Sequence, residues 1–488
     1  MIPTERILQR LLTLVGAAAV LSYVGLSAVH LNTLYGINHV SGHWMSLACQ
    51  ENRGSVYPPL HEDGFYGGTR QMPVYFSLHA MIARLTGEYL VSGRVATLGS
   101  MAALVVALVL ALRRTGCSPA TAFGGAAVFL ATGIGHWASF AVRGDALALA
   151  FGLFALLVLG ERGSWSRIVL AAVLAALAIL TKFSSVAPLI VGTIVLLRRT
   201  EEHDLLVRPA GGRLLVPGAF LALTVALLAV GLLLAQWESG NRFFANLAAL
   251  SGSGTGRRSS VEVLRAYGYR LQGSREFLVL LPLAILATIT ARRRLALWEL
   301  YFLVSLLLSP LFFLDAGADY NHLIDLLAAA LILTGSYLGR EEALLRSAVL
   351  LFLAWMGIMG LVVYHGDAWN APERRVPPAR LIERLALPGK RFLSEDPTLP
   401  ALLAQRPVVT DAFHYRTLAE SGVIPPDELP TRIRKKEFDC VILLFDLRTP
   451  EAQTWYRTKH FGLRVVEAID EAYVLDKQLL RYFVYVRR

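Results

Sequence analysis

Over 488 residues the chain is 55% hydrophobic and only 17% charged, where a soluble globular chain carries about 25% charged residues. Long apolar runs recur from Leu11 to Val363, each near the roughly 20 residues that cross a bilayer core, which excludes a soluble protein as well as the disordered, collagenous and disulfide-scaffold classes. The formal charge of +11 gathers as arginines in short loops between apolar runs, where membrane topology accounts for it, so nucleic acid is excluded as a partner.

Arg6 and Arg10 precede the first apolar stretch. Because many spans follow, that stretch reads as an uncleaved first transmembrane helix rather than a signal peptide. Further spans are predicted at 91–112, 119–136, 138–160, 168–181, 184–197, 214–236, 276–291, 296–314, 322–339 and 346–364, eleven in all. With this count Arg6/Arg10, Arg113/Arg114, Arg162/Arg167, Arg198/Arg199/Arg208/Arg213, Arg292/Arg293/Arg294 and Arg340/Arg346 fall on one side, which is cytoplasmic by the positive-inside rule. The weaker apolar stretch 71–87 must then lie along the outer membrane surface without crossing.

The outer face receives the loops 31–90 and 237–275 and everything after Tyr364. The Gly/Ser-rich SGSGTGRRSS in the second loop reads as a flexible lid or disordered segment. Residues 366–488 carry strand-like runs at RFLSE, PVVTDA, DCVILLF, LRVVEAI, AYVLD and YFVYV. The expected architecture is a multi-pass α-helical membrane domain, 1–365, followed by a small extracytoplasmic α/β domain, 366–488. Cys49, Cys117 and Cys440 have no metal-ligand spacing, and their odd number supports no disulfide framework.

Ionisable residues near hydrocarbon are costly and tend to mark function, and here they converge on the outer ends of the spans. His61, Glu62, Asp63 and Arg70 stand in a turn-rich loop, where a carboxylate could act as a general base; ordinary surface acids are the alternative. His136, Arg143 and Asp145 follow. Arg143 suits an anionic group and Asp145 an acceptor or a divalent cation, against plain capping of the helix that starts there. Lys182 is the first lysine in the chain, a compact charge suited to phosphate or, more simply, a snorkelling side chain. In DAGADYNHLIDLL the groups Asp315, Asp319, Tyr320, Asn321, His322 and Asp325 lead into a further span; buried polar groups need partners, which favours a binding role for Asp319, Tyr320, Asn321 and His322, with plain capping by Asp319 or Asn321 as the alternative. Lys182 and Arg143 could stabilise the growing charge of a departing phosphate.

These residues resemble the GT-C superfamily of integral-membrane glycosyltransferases, in particular bacterial proteins of the family-39, mannosyltransferase-like type. The carriers are GSVYPPL, TRQMPVYFSLHAMIARLTGEYLVSGR, AVRGDALALAFGLFALLVL, LAALAILTKFSSVAP and GADYNHLIDLLAAALIL, in that order over most of 1–365, and the tail LSEDPTLPALLAQRPVVTDAFHYRTLAESG also looks like the soluble end of such proteins. The resemblance implies a polyprenyl-phosphate-linked sugar as donor, a cell-envelope lipid, glycan or protein as acceptor, and an acidic base in the first outer loop of a protein of the bacterial cytoplasmic (inner) membrane. One stretch departs from the pattern: GINHVSGHWMSLACQENRGSVY has His43 and Trp44 where the family places an acid. Either Glu62 or Asp63 takes the base role, with Asp145 as the fallback, or the protein is a divergent or inactive member. Asp63→Asn and Lys182→Ala are expected to abolish transfer. A lipid-linked glycan transporter or flippase, and a non-catalytic scaffold of a cell-envelope complex, are the rival functions.

Overall fold

The computed structural model of the chain describes residues 3–160, 164–201, 214–252, 258–290, 295–315, 317–339 and 343–488. Arg162, Arg208, Arg213, Arg292, Arg293, Arg294, Arg340 and residues 253–257 of the Gly/Ser-rich stretch lie outside the described residues.

An apolar helix stands at each predicted span: Pro3–Val29, Tyr89–Arg114, Pro119–Ala131, Asp145–Leu159, Trp165–Thr181, Ala187–Glu201, Leu215–Glu238, Phe277–Thr290, Leu297–Phe312, Ile324–Leu338 and Ala343–Gly360. They are unequal. Among the described residues four stretches are long and apolar enough to cross a membrane alone, and up to six if each of two bent pairs is one span. Close helix contact comes from small residues, which let backbones approach without an apolar side chain between them. A Cβ on Gly16 would lie 2.7 Å from Gly124 Cα, so the first helix and Pro119–Ala131 meet nearly backbone to backbone.

The predicted span 138–160 is not one helix. Gly133–Phe140 ends, and Asp145–Leu159 begins at a bend of 114°. Hydropathy hides this break because the groups that satisfy its backbone come from elsewhere in the chain. Arg94, 6% exposed, donates to the carbonyl oxygens of Phe140, Thr33 and Tyr35. Thr97 Oγ1 donates to the Ala141 carbonyl at 3.0 Å, and Ser41 Oγ accepts from Val142 N at 3.2 Å.

The loop 237–275 holds two helices, Phe243–Gly252 and Ser260–Gly273, on either side of the Gly/Ser-rich stretch. The second helix starts on a capping box: Ser259 Oγ accepts from Glu262 N at 3.4 Å, and Glu262 Oε2 accepts from Ser259 N at 2.7 Å. Ser-x-x-Glu before an apolar pattern is the sequence signature of such a start.

Within the segment 31–90, β1 (His61–Glu62) and β2 (Phe65–Tyr66) form a hairpin. The C-terminal part holds β3 (Phe392–Ser394), β4 (Cys440–Leu443), β5 (Tyr473–Leu479) and β6 (Tyr482–Arg487) in a mixed sheet of order β3-β4-β6-β5. Two predicted strands fail. PVVTDA gives only a parallel bridge between Val409 and Tyr66. LRVVEAI lies in the Leu463–Ala472 helix, whose Val465, Val466, Ala468, Ile469 and Ala472 are buried; that spacing follows the helical period and overrides the β-branched pair.

The C-terminal sheet shares a core with the segment 31–90. Trp44, Met45, Tyr57 and Phe76 bury in one cluster with Leu381, Leu399, Ile442 and Tyr482. A Cβ on Gly42 would lie 2.4 Å from Thr398 N, so only glycine allows the His39–Glu51 helix to meet the backbone at residue 398.

Glu395, 1% exposed, accepts from Leu444 N at 2.7 Å and Tyr456 Oη at 2.5 Å and lies 2.5 Å from His460 Nδ1. Burial by itself raises this carboxyl, but His460 and the donated hydrogen bonds outweigh it and hold Glu395 below the usual glutamate range. A carboxyl lowered in the folded state stabilises the fold above its unfolded value of about 4.3, and this contribution is lost as pH falls through the folded value. Thermal unfolding from about pH 7 down to about pH 3 is expected to show a steeper loss of stability in wild type than in Glu395→Gln; equal slopes would remove Glu395 from the acid response.

Candidate active site

The break at 141–144 places Asp145 in the first turn of its helix, and Lys182 is the C-cap of Trp165–Thr181. An anion at a helix N-terminus and a cation at a C-terminus both complement the helix dipole. Lys182 Nζ lies 2.6 Å from Asp145 Oδ1 and donates to the Asn321 carbonyl oxygen at 2.7 Å. Asn321 Nδ2 reaches the same Asp145 oxygen at 3.5 Å. Arg143 Nη2 donates to Asn38 Oδ1 at 3.0 Å, and its guanidinium lies 4.3 Å from the centre of the Trp137 ring. Asp145 and Arg143 are 6% and 8% exposed, so their charges interact through protein rather than water.

The remaining binding candidates border this cluster. His322 packs against Phe312 and Phe313; Arg70 pairs with Asp315 at 2.7 Å. Arg270 pairs with Asp319 at 3.1 Å and covers the Tyr320 ring. His136 Nε2 is 2.7 Å from the Tyr35 hydroxyl. Arg143 Nε, His136 Nδ1 and His322 Nδ1 are buried with no hydrogen-bond partner among the described residues. Such groups are costly unless something outside the chain satisfies them. A cavity of about 380 Å³ is walled by Tyr35, His136, Trp137, Phe140, Tyr320 and Tyr364, and it meets the cluster through Trp137, the ring that the Arg143 guanidinium covers.

No protein-family model matches the chain, and no curated protein matches it by sequence. Solved structures do match in fold. The crystal structure of ArnT from Cupriavidus metallidurans bound to undecaprenyl phosphate superposes with a TM-score of 0.62 at 14% identity, covering 97% of each chain. The Archaeoglobus fulgidus oligosaccharyltransferase in complex with Zn and sulfate gives 0.55 at 11% identity, over 97% of this chain and 73% of the other. The chain has the GT-C fold.

Within this GT-C fold Asp145, Arg143, Lys182 and Asn321 come together, and the base candidates of the first loop do not join them. Glu62 is exposed and lies 3.4 Å from Arg406. Asp63 is exposed at the tip of the β1–β2 hairpin, where it and Gly64 have φ of 51° and 69°. Asp-Gly is the pair that a two-residue turn with both φ positive prefers, so backbone geometry explains Asp63 without chemistry. The hairpin itself docks on the C-terminal part: Tyr66 N donates to Val408 O at 2.8 Å, and His61 lies 2.9 Å from Glu428. We expect Asp63→Asn to keep wild-type stability and turnover, since asparagine also tolerates the left-handed region, while Asp63→Val loosens the hairpin; loss of turnover in the folded asparagine variant would restore Asp63 as a reacting group.

Sequence reasoning missed a second polar cluster, in which His43 meets Asp411 and His414 from the C-terminal part. Burial holds both imidazoles below the usual histidine range, His414 at about 4, so both are neutral near pH 7. Burial raises Asp411, but the facing histidines outweigh it and the carboxyl ends low. The departure at His43 was the available signal; nothing local connects it to residues more than 350 positions away.

Proposed function

We propose that the protein is an inverting membrane glycosyltransferase that moves a sugar from a polyprenyl-phosphate donor to a cell-envelope lipid, glycan or protein acceptor at the outer face of the cytoplasmic membrane. The observation that carries this reading is the Lys182–Asp145–Arg143 cluster, whose Arg143 covers Trp137 in the wall of an aromatic cavity, in a GT-C fold. The undecaprenyl phosphate bound to ArnT supports a lipid phosphate as the donor's carrier.

Lys182 and Arg143 take the donor phosphate, and the aromatic walls formed by Trp137 and Tyr320 take the sugar. Arg70, His136, Asp319, Asn321 and His322 bound the site. When Lys182 turns to the phosphate, Asp145 loses its partner and becomes available as the base. The acceptor hydroxyl oxygen attacks the anomeric carbon while its proton passes to the Asp145 carboxylate. The bond from the anomeric carbon to the phosphate oxygen breaks, its electron pair stays on that oxygen, and polyprenyl phosphate leaves. One base suffices because the phosphate departs without protonation. Asp145 is preferred to Glu62 and Asp63 as base because it alone of the three pairs with Lys182. The C-terminal part, 366–488, is assigned to the outer side, where its core with the first loop frames the acceptor's approach.

The test is incubation of the purified protein with a panel of radiolabelled polyprenyl-phosphate sugars and membrane lipid extract. Consumption of one donor is expected; a panel in which no donor is bound or consumed would overturn the proposal.

A further inference from the structure

The second cluster has the chemistry of a metal centre. His43 comes from the His39–Glu51 helix of the segment 31–90, Asp411 is the N-cap of Ala412–Glu420, and His414 lies in that helix. His43 Nδ1 and His414 Nδ1 each lie 3.9 Å from Asp411 Oδ2, and one ligand atom from each residue lies within 4.8 Å of the others. Ligands about 2.0–2.2 Å from a tetrahedral zinc ion stand roughly 3.4 Å apart, so small side-chain movements close the set.

The surrounding hydrogen bonds leave these atoms available. Asp411 Oδ1 is occupied, accepting from Phe413 N at 2.8 Å and His414 N at 3.1 Å, which leaves Oδ2 for the histidines. His414 is 6% exposed, and its Nδ1 has no hydrogen-bond partner among the described residues. On the far side of the His43 ring, Nε2 is 3.0 Å from Thr69 Oγ1, the outer contact that fixes ring orientation at metal sites. His43 Nδ1 meets the Thr410 carbonyl oxygen only at 3.3 Å, a long contact that a cation would replace once the neutral ring carries its proton on Nε2, facing Thr69 Oγ1.

We propose that His43, Asp411 and His414 bind a divalent transition-metal cation of the zinc type, fastening the segment 31–90 to the C-terminal part. Two imidazoles and one carboxylate suit such an ion and leave a coordination position for water or an anion oxygen. None of these three residues has a role in the proposed transfer, and the test does not use transfer activity.

The full chain in detergent, stripped with a chelator and dialysed, is titrated with Zn²⁺ by calorimetry and with Co²⁺ by visible absorption. One ion per chain is expected. His414→Gln and Asp411→Asn should each weaken binding at least about 100-fold, and Thr69→Val by about 10-fold. Asparagine keeps the helix cap, so Asp411→Asn separates loss of a ligand from loss of fold. Absence of stoichiometric metal in wild type, or wild-type affinity in both His414→Gln and Asp411→Asn, would overturn the proposal.

Discussion

Lys182→Met is expected to lose about 3–5 kcal/mol of stability in detergent along with turnover, because it leaves the Asp145 carboxylate buried without its cation. Lys182 Nζ and Asp145 Oδ1 are 2.6 Å apart, with side chains 16% and 6% exposed. Asp145→Asn should lose a similar amount, since it strands the ammonium. Asp145→Asn/Lys182→Met should be more stable than either single variant, because removing both charges also removes the cost of burying them. Denaturant unfolding of the four proteins measures the coupling. Additive losses would mean that the two groups do not depend on one another in the folded protein. The two single variants should differ in function: Lys182→Met loses affinity for polyprenyl phosphate, whereas Asp145→Asn retains binding and loses transfer.

Arg94→Met is expected to lower stability by several kcal/mol while keeping the charge cluster's own residues intact. Its guanidinium is buried and donates to three carbonyl oxygens around the 141–144 break. Each carbonyl left without a donor costs about 1–3 kcal/mol when water cannot replace it. Methionine keeps much of the apolar stem, so the loss reports the hydrogen bonds rather than a cavity. The same change should weaken donor binding, because Arg143 and Asp145 flank the backbone that Arg94 holds. Wild-type thermal unfolding of Arg94→Met would show that the break does not depend on Arg94.

The helical membrane part was legible because apolar runs of about 20 residues have few alternatives. Its interruptions were not. The bend before Asp145 depends on Arg94, Thr97 and Ser41, whose distance in sequence hides their common destination. The gathering of Arg143, Asp145, Lys182 and Asn321 followed from polar residues at span ends, where charge is costly enough to require a reason. Asp63 misled because a loop carboxylate and the first residue of an Asp-Gly turn look alike until the following glycine is weighed. In the C-terminal part β3, β4, β5 and β6 followed from short β-branched and aromatic runs. The Leu463–Ala472 helix was misread by composition where spacing was the better guide. The His43–Asp411–His414 cluster exists only because the C-terminal part closes on the segment 31–90, a contact no local pattern encodes.

Label transfer by Asp145→Asn/Lys182→Met, measured beside wild type on a donor that wild type consumes, tests the placement of the reacting centre most directly. The double variant should unfold close to the wild-type midpoint and move no label. Transfer at the wild-type rate by that folded double variant would contradict the placement of phosphate recognition and the base at Lys182 and Asp145.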